Sequence, residues 1–193
     1  ANVAWAADGK LQYTTDGWRS RVSPPTGVDG ATITSVRFLD YRQGWAGGSV
    51  GKDALLLHTA DGGASWQPVQ LPAIQTNVSQ VWFVDTAVGW VLTSSERFTG
   101  AATITDFTLC RTADGGRTWA AELNTSSTRT GTLFPAVGPI YFTSRTTGLA
   151  TFGTTGIVGT FVDVYRRAPG LALTPSPTAT ATNTPPPTTP TVT

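Results

Sequence analysis

The sequence of 193 residues contains no methionine, one cysteine, one histidine and two glutamates. Cys110 has no partner for an intrachain disulfide, and its strand-like surroundings predict a buried, inert thiol. His58 is the only imidazole and no Gly-x-Ser-x-Gly motif occurs, which argues strongly against a serine-histidine triad. The net charge of +1 argues against nucleic acid as the main partner, which would require a basic face.

Long apolar runs are also absent. No stretch approaches the roughly 20 residues that span a bilayer, so no membrane span is predicted. A chain without a first methionine indicates a processed product or a piece of something longer. The Ala-Asn start suits cleavage after export. We therefore expect an exported protein, located outside the cell or at its surface.

The chain does contain an internal repeat. TADGGASW at 59–66 returns as TADGGRTW at 112–119, and a degenerate copy, TTDGWRSR, occupies 14–21. An Asp that accepts backbone N–H groups and glycines with positive φ are typical of a tight hairpin turn. The Trp then begins the return strand and buries a large ring. We predict a structural role for the turn residues Thr14, Asp16, Gly17, Thr59, Asp61, Gly63, Trp66, Thr112, Asp114, Gly116 and Trp119.

A second motif recurs upstream of the turns. FLDYRQGW at 38–45 matches FVDTAVGW at 83–90 at an offset of 45, and a weaker copy follows around 140–149. Four-stranded units at this period, without helical periodicity, are typical of propeller blades. The predicted fold is all-β, with antiparallel four-stranded blades of an incomplete or small β-propeller. A domain at 1–170 would comprise a partial blade 1–24, blades 31–72 and 77–123, and a degraded blade 137–170.

Several local features follow from this division. We expect a strand at 19–22, and Pro68 on an outer edge strand because proline cannot donate to a ladder. Eight extra residues in the second full repeat predict a long loop around 94–106, which would carry Glu96. The Ser- and Thr-rich stretch 124–138 predicts a long connection.

These motifs resemble Asp-box (BNR) repeats, which occur in sialidase-like and sortilin-type propellers. The Phe-x-Asp-x-x-x-Gly-Trp spacing is similar above all to the photosystem II stability/assembly-factor-like propellers. The resemblance covers about residues 3–167 and implies six or seven blades, more than this sequence holds. The chain would then be a fragment of a larger propeller, a four-bladed ring, or an open arc that another copy or another protein completes.

The last segment, 171–193, differs in composition. Fifteen of its 23 residues are Thr or Pro and none is charged, which predicts an extended stalk or linker. Such stalks are typical O-glycan acceptors in exported proteins. The candidate acceptors are Thr174, Thr178, Thr180, Thr182, Thr184, Thr188, Thr189 and Thr191. Asn77 and Asn124 fit the N-glycosylation pattern.

No catalytic, metal or cofactor site is predicted. A sialidase site requires several Arg, a Tyr–Glu pair and an acid/base Asp, and neither Glu96 nor Glu122 lies in such a setting. Asp40 and Asp85 recur at equivalent turns, which indicates structural caps. Arg with aromatic residues is typical of interface anchors, so the predicted interaction surface is Arg37, Arg42, Trp82, Arg97, Tyr141 and Arg145. Of these, Arg37, Trp82 and Tyr141 occupy one equivalent strand position.

The leading hypothesis is a non-enzymatic, exported binding or assembly module at the cell surface. One version is a subunit of an extracellular polymer, and glycans are a further candidate ligand. The first alternative is a fragment of a sialidase-like glycoside hydrolase. The second is an assembly factor for protein complexes.

Overall fold

The structure is a computed structural model that describes residues 3–72, 75–100, 102–129, 134–156 and 159–167, with backbone alone at 129, 134–137, 154–156 and 159–167. The described part of the chain is all-β, as predicted, with thirteen strands and no helix. It accordingly holds no helix long and apolar enough to cross a membrane. The Thr/Pro-rich segment and its eight candidate threonines lie outside the described residues.

The strands form four antiparallel sheets in which neighbours follow chain order. Sheet 1 contains β1 (Ala4–Ala7) and β2 (Leu11–Thr14). Sheet 2 contains β3 (Ala31–Phe38), β4 (Gly44–Val50), β5 (Asp53–Thr59) and β6 (Gln67–Pro68). Sheet 3 contains β7 (Asn77–Phe83), β8 (Gly89–Phe98), β9 (Thr103–Thr112) and β10 (Ala120–Arg129). Sheet 4 contains β11 (Phe134–Phe142), β12 (Gly148–Gly156) and β13 (Gly159–Arg167).

This up-and-down order within stacked sheets is that of propeller blades, and the four sheets form a partial propeller. Sheets 1 to 4 pack against one another in sequence. In the described ranges no extensive packing joins sheet 1 to sheet 4. The short β6, with Pro68, lies at a sheet edge as expected.

An irregularity recurs at one place in each first strand. The register shifts between Ile33 and Ser35 in β3, between Val78 and Gln80 in β7, and between Val137 and Ile140 in β11. Bulges of this kind re-aim side chains. In β3 they direct polar groups to the next sheet: Thr34 Oγ1 donates to the Val78 carbonyl at 2.7 Å, and Ser35 Oγ accepts from Val81 N–H at 3.1 Å.

Aromatic stacks join each sheet to the next. A Trp on β1, β4 or β8 stacks on the Phe that ends the first strand of the following sheet. The centroid distances are 4.8 Å for Trp5–Phe38, 3.6 Å for Trp45–Phe83 and 3.7 Å for Trp90–Phe142. In sheets 2 and 3 the turn Trp meets the same Phe edge-on, in the pairs Trp66–Phe38 and Trp119–Phe83. The two sequence motifs therefore build one repeated aromatic cluster between sheets.

The second glycine position of each full turn favours glycine for two reasons. Gly63 and Gly116 both have φ of +89°, a backbone conformation that disfavours L side chains. They also lie under the Trp of the preceding sheet. A Cβ at Gly63 would lie 2.3 Å from the Trp5 ring, and one at Gly116 would lie 3.1 Å from Trp45 Nε1.

Two predicted loops are wrong. The extra residues at 94–106 lengthen the hairpin of β8 and β9, so Glu96 lies on a strand and the connection covers only 99–102. The stretch 124–138 is largely strand, because β10 runs to Arg129 and β11 begins at Phe134. The blade predicted to end at 123 therefore has a fourth strand six residues longer. The Thr and Ser residues of 124–129 are compatible with a strand as well as with a loop, which is why composition misled here.

The predicted strand at 19–22 is also wrong. Only Val22 pairs, in an isolated bridge with Tyr13. Sheet 1 therefore has the counterparts of the second and third blade strands, and no described strand pairs with the other edge of β1. The division of the chain at residue 170 remains a prediction.

Candidate functional site

The carboxylate of each Asp-Gly turn is fully engaged in holding its own loop. Asp61 Oδ1 accepts from Ser65 N–H at 2.9 Å and from the Thr59 hydroxyl at 2.7 Å, while Oδ2 accepts from the Ser65 hydroxyl at 2.6 Å. Thr59 Oγ1 in turn accepts from Gly63 N–H at 2.9 Å. The same four contacts recur at Asp16 and Asp114. The side chains of the repeat's Thr and Asp thus accept hydrogen bonds from backbone N–H groups of the turn.

These contacts favour the ionised acid. The backbone N–H and hydroxyl of Ser20 lower the pKa of Asp16 to about 2. The Thr118 hydroxyl and N–H do the same for Asp114, again to about 2. Hydrogen bonds from Ser65 and Thr59 lower the pKa of Asp61 well below its usual range. Such carboxylates are poor general acids at neutral pH.

Asp40 and Asp85 hold a second set of turns. Asp85 Oδ1 accepts from the N–H groups of Ala87 and Val88 at 2.8 and 2.9 Å, and Asp40 binds the equivalent N–H groups of Arg42 and Gln43. Burial raises the pKa of Asp85, but the Arg145 side chain and these N–H groups outweigh it, so the pKa is lowered. The Arg145–Asp85 bond, at 2.7 Å, ties sheet 4 to sheet 3.

The other candidates for chemistry lie apart from one another. The described residues contain no group of three or more His, Cys, Asp or Glu that could hold a metal ion. His58 is half-buried, its Nε2 lies 2.8 Å from Gln43 Oε1, and burial lowers its pKa. Glu122 accepts from Trp90 Nε1 at 2.9 Å, and burial raises the pKa of the Cys110 thiol to about 11.

The equivalent positions Arg37, Trp82 and Tyr141 come together across three sheets. The Arg37 guanidinium carbon lies 4.1 Å from the centroid of the Trp82 ring, a cation–π distance. The Trp82 and Tyr141 rings are 5.2 Å apart. Trp82 Nε1 donates to the Phe142 carbonyl at 3.0 Å, so the indole also bridges sheets 3 and 4. Tyr141 is 52% exposed, and we call these three residues the Arg-aromatic row.

The remaining residues of the predicted interaction surface serve local contacts. Arg97 pairs with Asp106 at 2.8 Å across the β8–β9 hairpin, and Arg145 pairs with Asp85. Arg42 lies in the turn capped by Asp40, where its carbonyl accepts from Gly62 N–H. The predicted set of six is therefore one row of three residues and three separate positions.

Two equivalent clefts between sheets were not anticipated from the sequence. The aromatic cleft, about 740 Å³, lies between sheets 1 and 2 and is lined by Trp5, Tyr13, Pro24, Phe38 and Tyr41, with Gly63 at its side. The polar cleft, about 720 Å³, lies between sheets 2 and 3. There Trp45, His58 and Thr86 stand where Trp5, Tyr13 and Tyr41 stand in the first. Two positions of the repeat distinguish the clefts in the sequence. The residue before the turn Thr is Tyr13 or His58, and the residue after the capping Asp is Tyr41 or Thr86.

Trp18 stands where the two full turns have their second glycine. Its φ of 71° makes it the only described non-glycine residue with positive φ, and Trp18 N–H still donates to Thr14 Oγ1 at 3.0 Å. Its ring is 37% exposed, with the Arg21 guanidinium 5.6 Å from the ring centroid. The large side chain occupies the position over which Trp5 and Trp45 pass at Gly63 and Gly116, so this turn does not present the same docking place to a preceding Trp.

The two sequons lie on strands. Asn77 donates to Ser79 Oγ at 3.1 Å, and Asn124 Oδ1 accepts from the Thr108 hydroxyl at 2.9 Å. Their glycosylation remains a prediction.

Comparison with known proteins yields little. No family model matches the chain, and no curated protein matches it. Among solved structures, YCF48 from Cyanidioschyzon merolae matches with a TM-score of 0.38 and 13% sequence identity, over 88% of this chain and 67% of that chain.

Proposed function

We propose that the chain is a non-enzymatic, exported Asp-box module that acts in binding and assembly at the cell surface, with a second copy of itself as its first partner. The observation that carries the proposal is the edge of sheet 1 formed by β1. Among the described residues β1 pairs with β2 alone, whereas its counterparts β4 and β8 each have a strand on both sides. An unpaired strand edge is a ready template for a strand from another chain.

The chemistry of the described carboxylates supports the same view. Asp61 and Asp114 use both carboxylate oxygens to accept from groups of their own turns, and Asp40 and Asp85 use Oδ1 in the same way. Glu122 is held by the Trp90 indole. A glycosidase requires two carboxylates facing each other across a sugar, so the hydrolase alternative has less support than assembly.

Exposed aromatic and Arg side chains supply a second means of recognition. Tyr141 at one end of the Arg-aromatic row is half exposed, and Tyr41 is 85% exposed. Aromatic and Arg residues are enriched among the anchors of protein interfaces. The row lies on the first strands β3, β7 and β11, so it would face a partner that spans several sheets.

Sedimentation velocity on the full chain over a wide concentration range tests the proposal. We expect species heavier than the 20.2 kDa chain that grow with concentration. A single species of the chain mass at every concentration would contradict self-association. Turnover of a fluorogenic sialoside or other glycoside that survives repurification, and is lost on Glu122→Gln, would favour the hydrolase alternative.

A further inference from the structure

We propose that the aromatic cleft between sheets 1 and 2 binds the Thr/Pro-rich segment 171–193 of a second copy as a polyproline II helix. This inference deepens the proposed assembly function and rests on it. It assigns a site and a ligand class to the contact between copies.

The walls of the aromatic cleft have the chemistry that recognises proline-rich peptides. Trp5 and Tyr13 form a ring pair at 5.0 Å on one side, and Tyr41 projects from the turn on the other. Pro24 and Phe38 also line the cleft. Aromatic-lined grooves bind polyproline II segments because flat rings stack on proline rings and the ligand is already extended.

The cleft also contains two tyrosine hydroxyls that could donate hydrogen bonds to a ligand. Within the described residues, neither the Tyr13 hydroxyl nor the Tyr41 hydroxyl has a hydrogen-bond partner. A polyproline II helix has no internal hydrogen bonds, so its carbonyls remain available to such donors. The one charged residue among the described lining, Asp40, has an oxygen committed to the N–H groups of its own turn.

The ligand segment matches this surface. It has six prolines in 23 residues, with Pro185, Pro186 and Pro187 in succession and a P-x-x-P spacing from Pro187 to Pro190. It has no charged residue, which suits an aromatic cleft whose described lining has Asp40 as its one charged residue. A segment of this composition has little hydrophobic surface to bury by itself.

The positions of the segment and of the cleft permit a contact between copies. The segment follows β13 in sheet 4, whereas the cleft lies between sheets 1 and 2, at the other end of the order in which the described sheets pack. A contact between the two ends is heterologous, and repeated copies joined in this way form a ring or an open chain.

The equivalent polar cleft provides an internal control. His58 replaces Tyr13 there and Thr86 replaces Tyr41, while the Trp45 ring is 1% exposed and cannot offer its face. The two clefts lie at equivalent places between neighbouring sheets, although Gln67 and Pro68 of β6 border only the polar cleft, so a difference in binding reports chiefly the lining side chains.

The test is fluorescence polarisation with a labelled synthetic peptide of residues 171–193. The receptor is the full chain with its own six tail prolines changed to alanine, so that its own tail does not compete. We expect saturable binding that weakens about tenfold in Tyr41→Ala. Thr86→Ala, at the matched position of the polar cleft, should leave binding unchanged. Because Tyr41 is 85% exposed, its removal should not disturb folding, which circular dichroism verifies.

Tyr13→His, which copies the polar cleft, should also weaken binding. A peptide with its prolines replaced by alanine should not bind. No saturation up to about 1 mM peptide, or equal affinity for wild type and Tyr41→Ala, would overturn the inference. A chain that self-associates although the peptide does not bind keeps the assembly function and removes this site. A peptide that binds in the cleft while the chain stays monomeric keeps the site and removes the assembly function.

Discussion

Replacing Gly63 with alanine tests the packing between sheets 1 and 2 with a single methyl group. Gly63 has φ of +89°, and the new Cβ would lie 2.3 Å from one atom of the Trp5 ring and 2.5 Å from another. The substitution therefore imposes a backbone penalty and a steric penalty at once. The first belongs to the turn, and the second belongs to the contact between sheets.

The two penalties have different magnitudes and can be separated. An L residue in the left-handed region costs about 1–2 kcal/mol. Forcing a methyl group into a packed ring adds about 1–3 kcal/mol. We expect Gly63→Ala to lower the free energy of unfolding by about 2–5 kcal/mol in total.

Gly51→Ala is the matched control. Gly51 has φ of +60° in the β4–β5 turn of the same sheet, and a Cβ there would meet nothing within 4 Å. It should lose only the backbone term, about 1–2 kcal/mol. The gain from a stiffer unfolded chain is common to both variants and cancels in the difference.

Chemical denaturation followed by far-UV circular dichroism measures both losses. Combining Gly63→Ala with Trp5→Leu should recover about 1–2 kcal/mol relative to the sum of the single variants, because the smaller side chain relieves the clash. Equal losses for Gly63→Ala and Gly51→Ala, together with strict additivity with Trp5→Leu, would refute the proposed packing of Trp5 on the turn.

Three further predictions follow from the turns and the core. Asp114 has a folded pKa of about 2 against an ordinary 3.8, so its charge stabilises the fold above about pH 4 and this stability is lost as the pH falls through about 2. Asp114→Asn should therefore lower the pH dependence of stability in that acid window, in denaturation series from pH 2 to 5. Cys110 is buried with its pKa raised to about 11, so a thiol reagent at pH 8 should label it only after denaturant is added. Arg145→Ala should cost about 0.2–1 kcal/mol at low salt and nothing measurable at 1 M salt, because the pair with Asp85 is exposed.

The repeat could be read from the sequence because its physics is local. An Asp that accepts N–H groups two to four residues on, and a glycine that adopts positive φ, act within one turn. Those residues predict hairpins at 59–66 and 112–119, and a hairpin repeated at a fixed spacing predicts blades. The strand order within sheets 2 and 3 follows from the same reasoning.

The contacts between sheets could not be derived in the same way. That Trp5 lies over Gly63, or that Tyr13 and Tyr41 line one cleft, depends on how two separate units stack. Within one repeat these residues have no evident relation. Phe and Trp recur at the same spacing in the pairs Phe38–Trp45 and Phe83–Trp90, which indicates a common role. Only the stacked geometry shows that each Trp packs on a Phe of the following sheet.

The wrong prediction at 124–138 arose because composition was used in place of pattern. Thr and Ser at 124–129 suggested a loop, yet Asn124, Thr125 and Ser126 pair in register with β9. A surface strand tolerates such residues because β-branched Thr suits a pleated, half-buried surface. The Arg-aromatic row could be predicted from position in the repeat, because Arg37, Trp82 and Tyr141 occupy the same strand position in three repeats.

The account depends on association through the edge of sheet 1 that β1 forms. Hydrogen-exchange mass spectrometry on the full chain at low and high concentration tests this most directly, because it reports backbone amides strand by strand. We predict that peptides covering Ala4–Ala7 gain protection as concentration rises, while those covering the central β8 stay equally protected throughout. Exchange in β1 that is fast and independent of concentration would contradict the account.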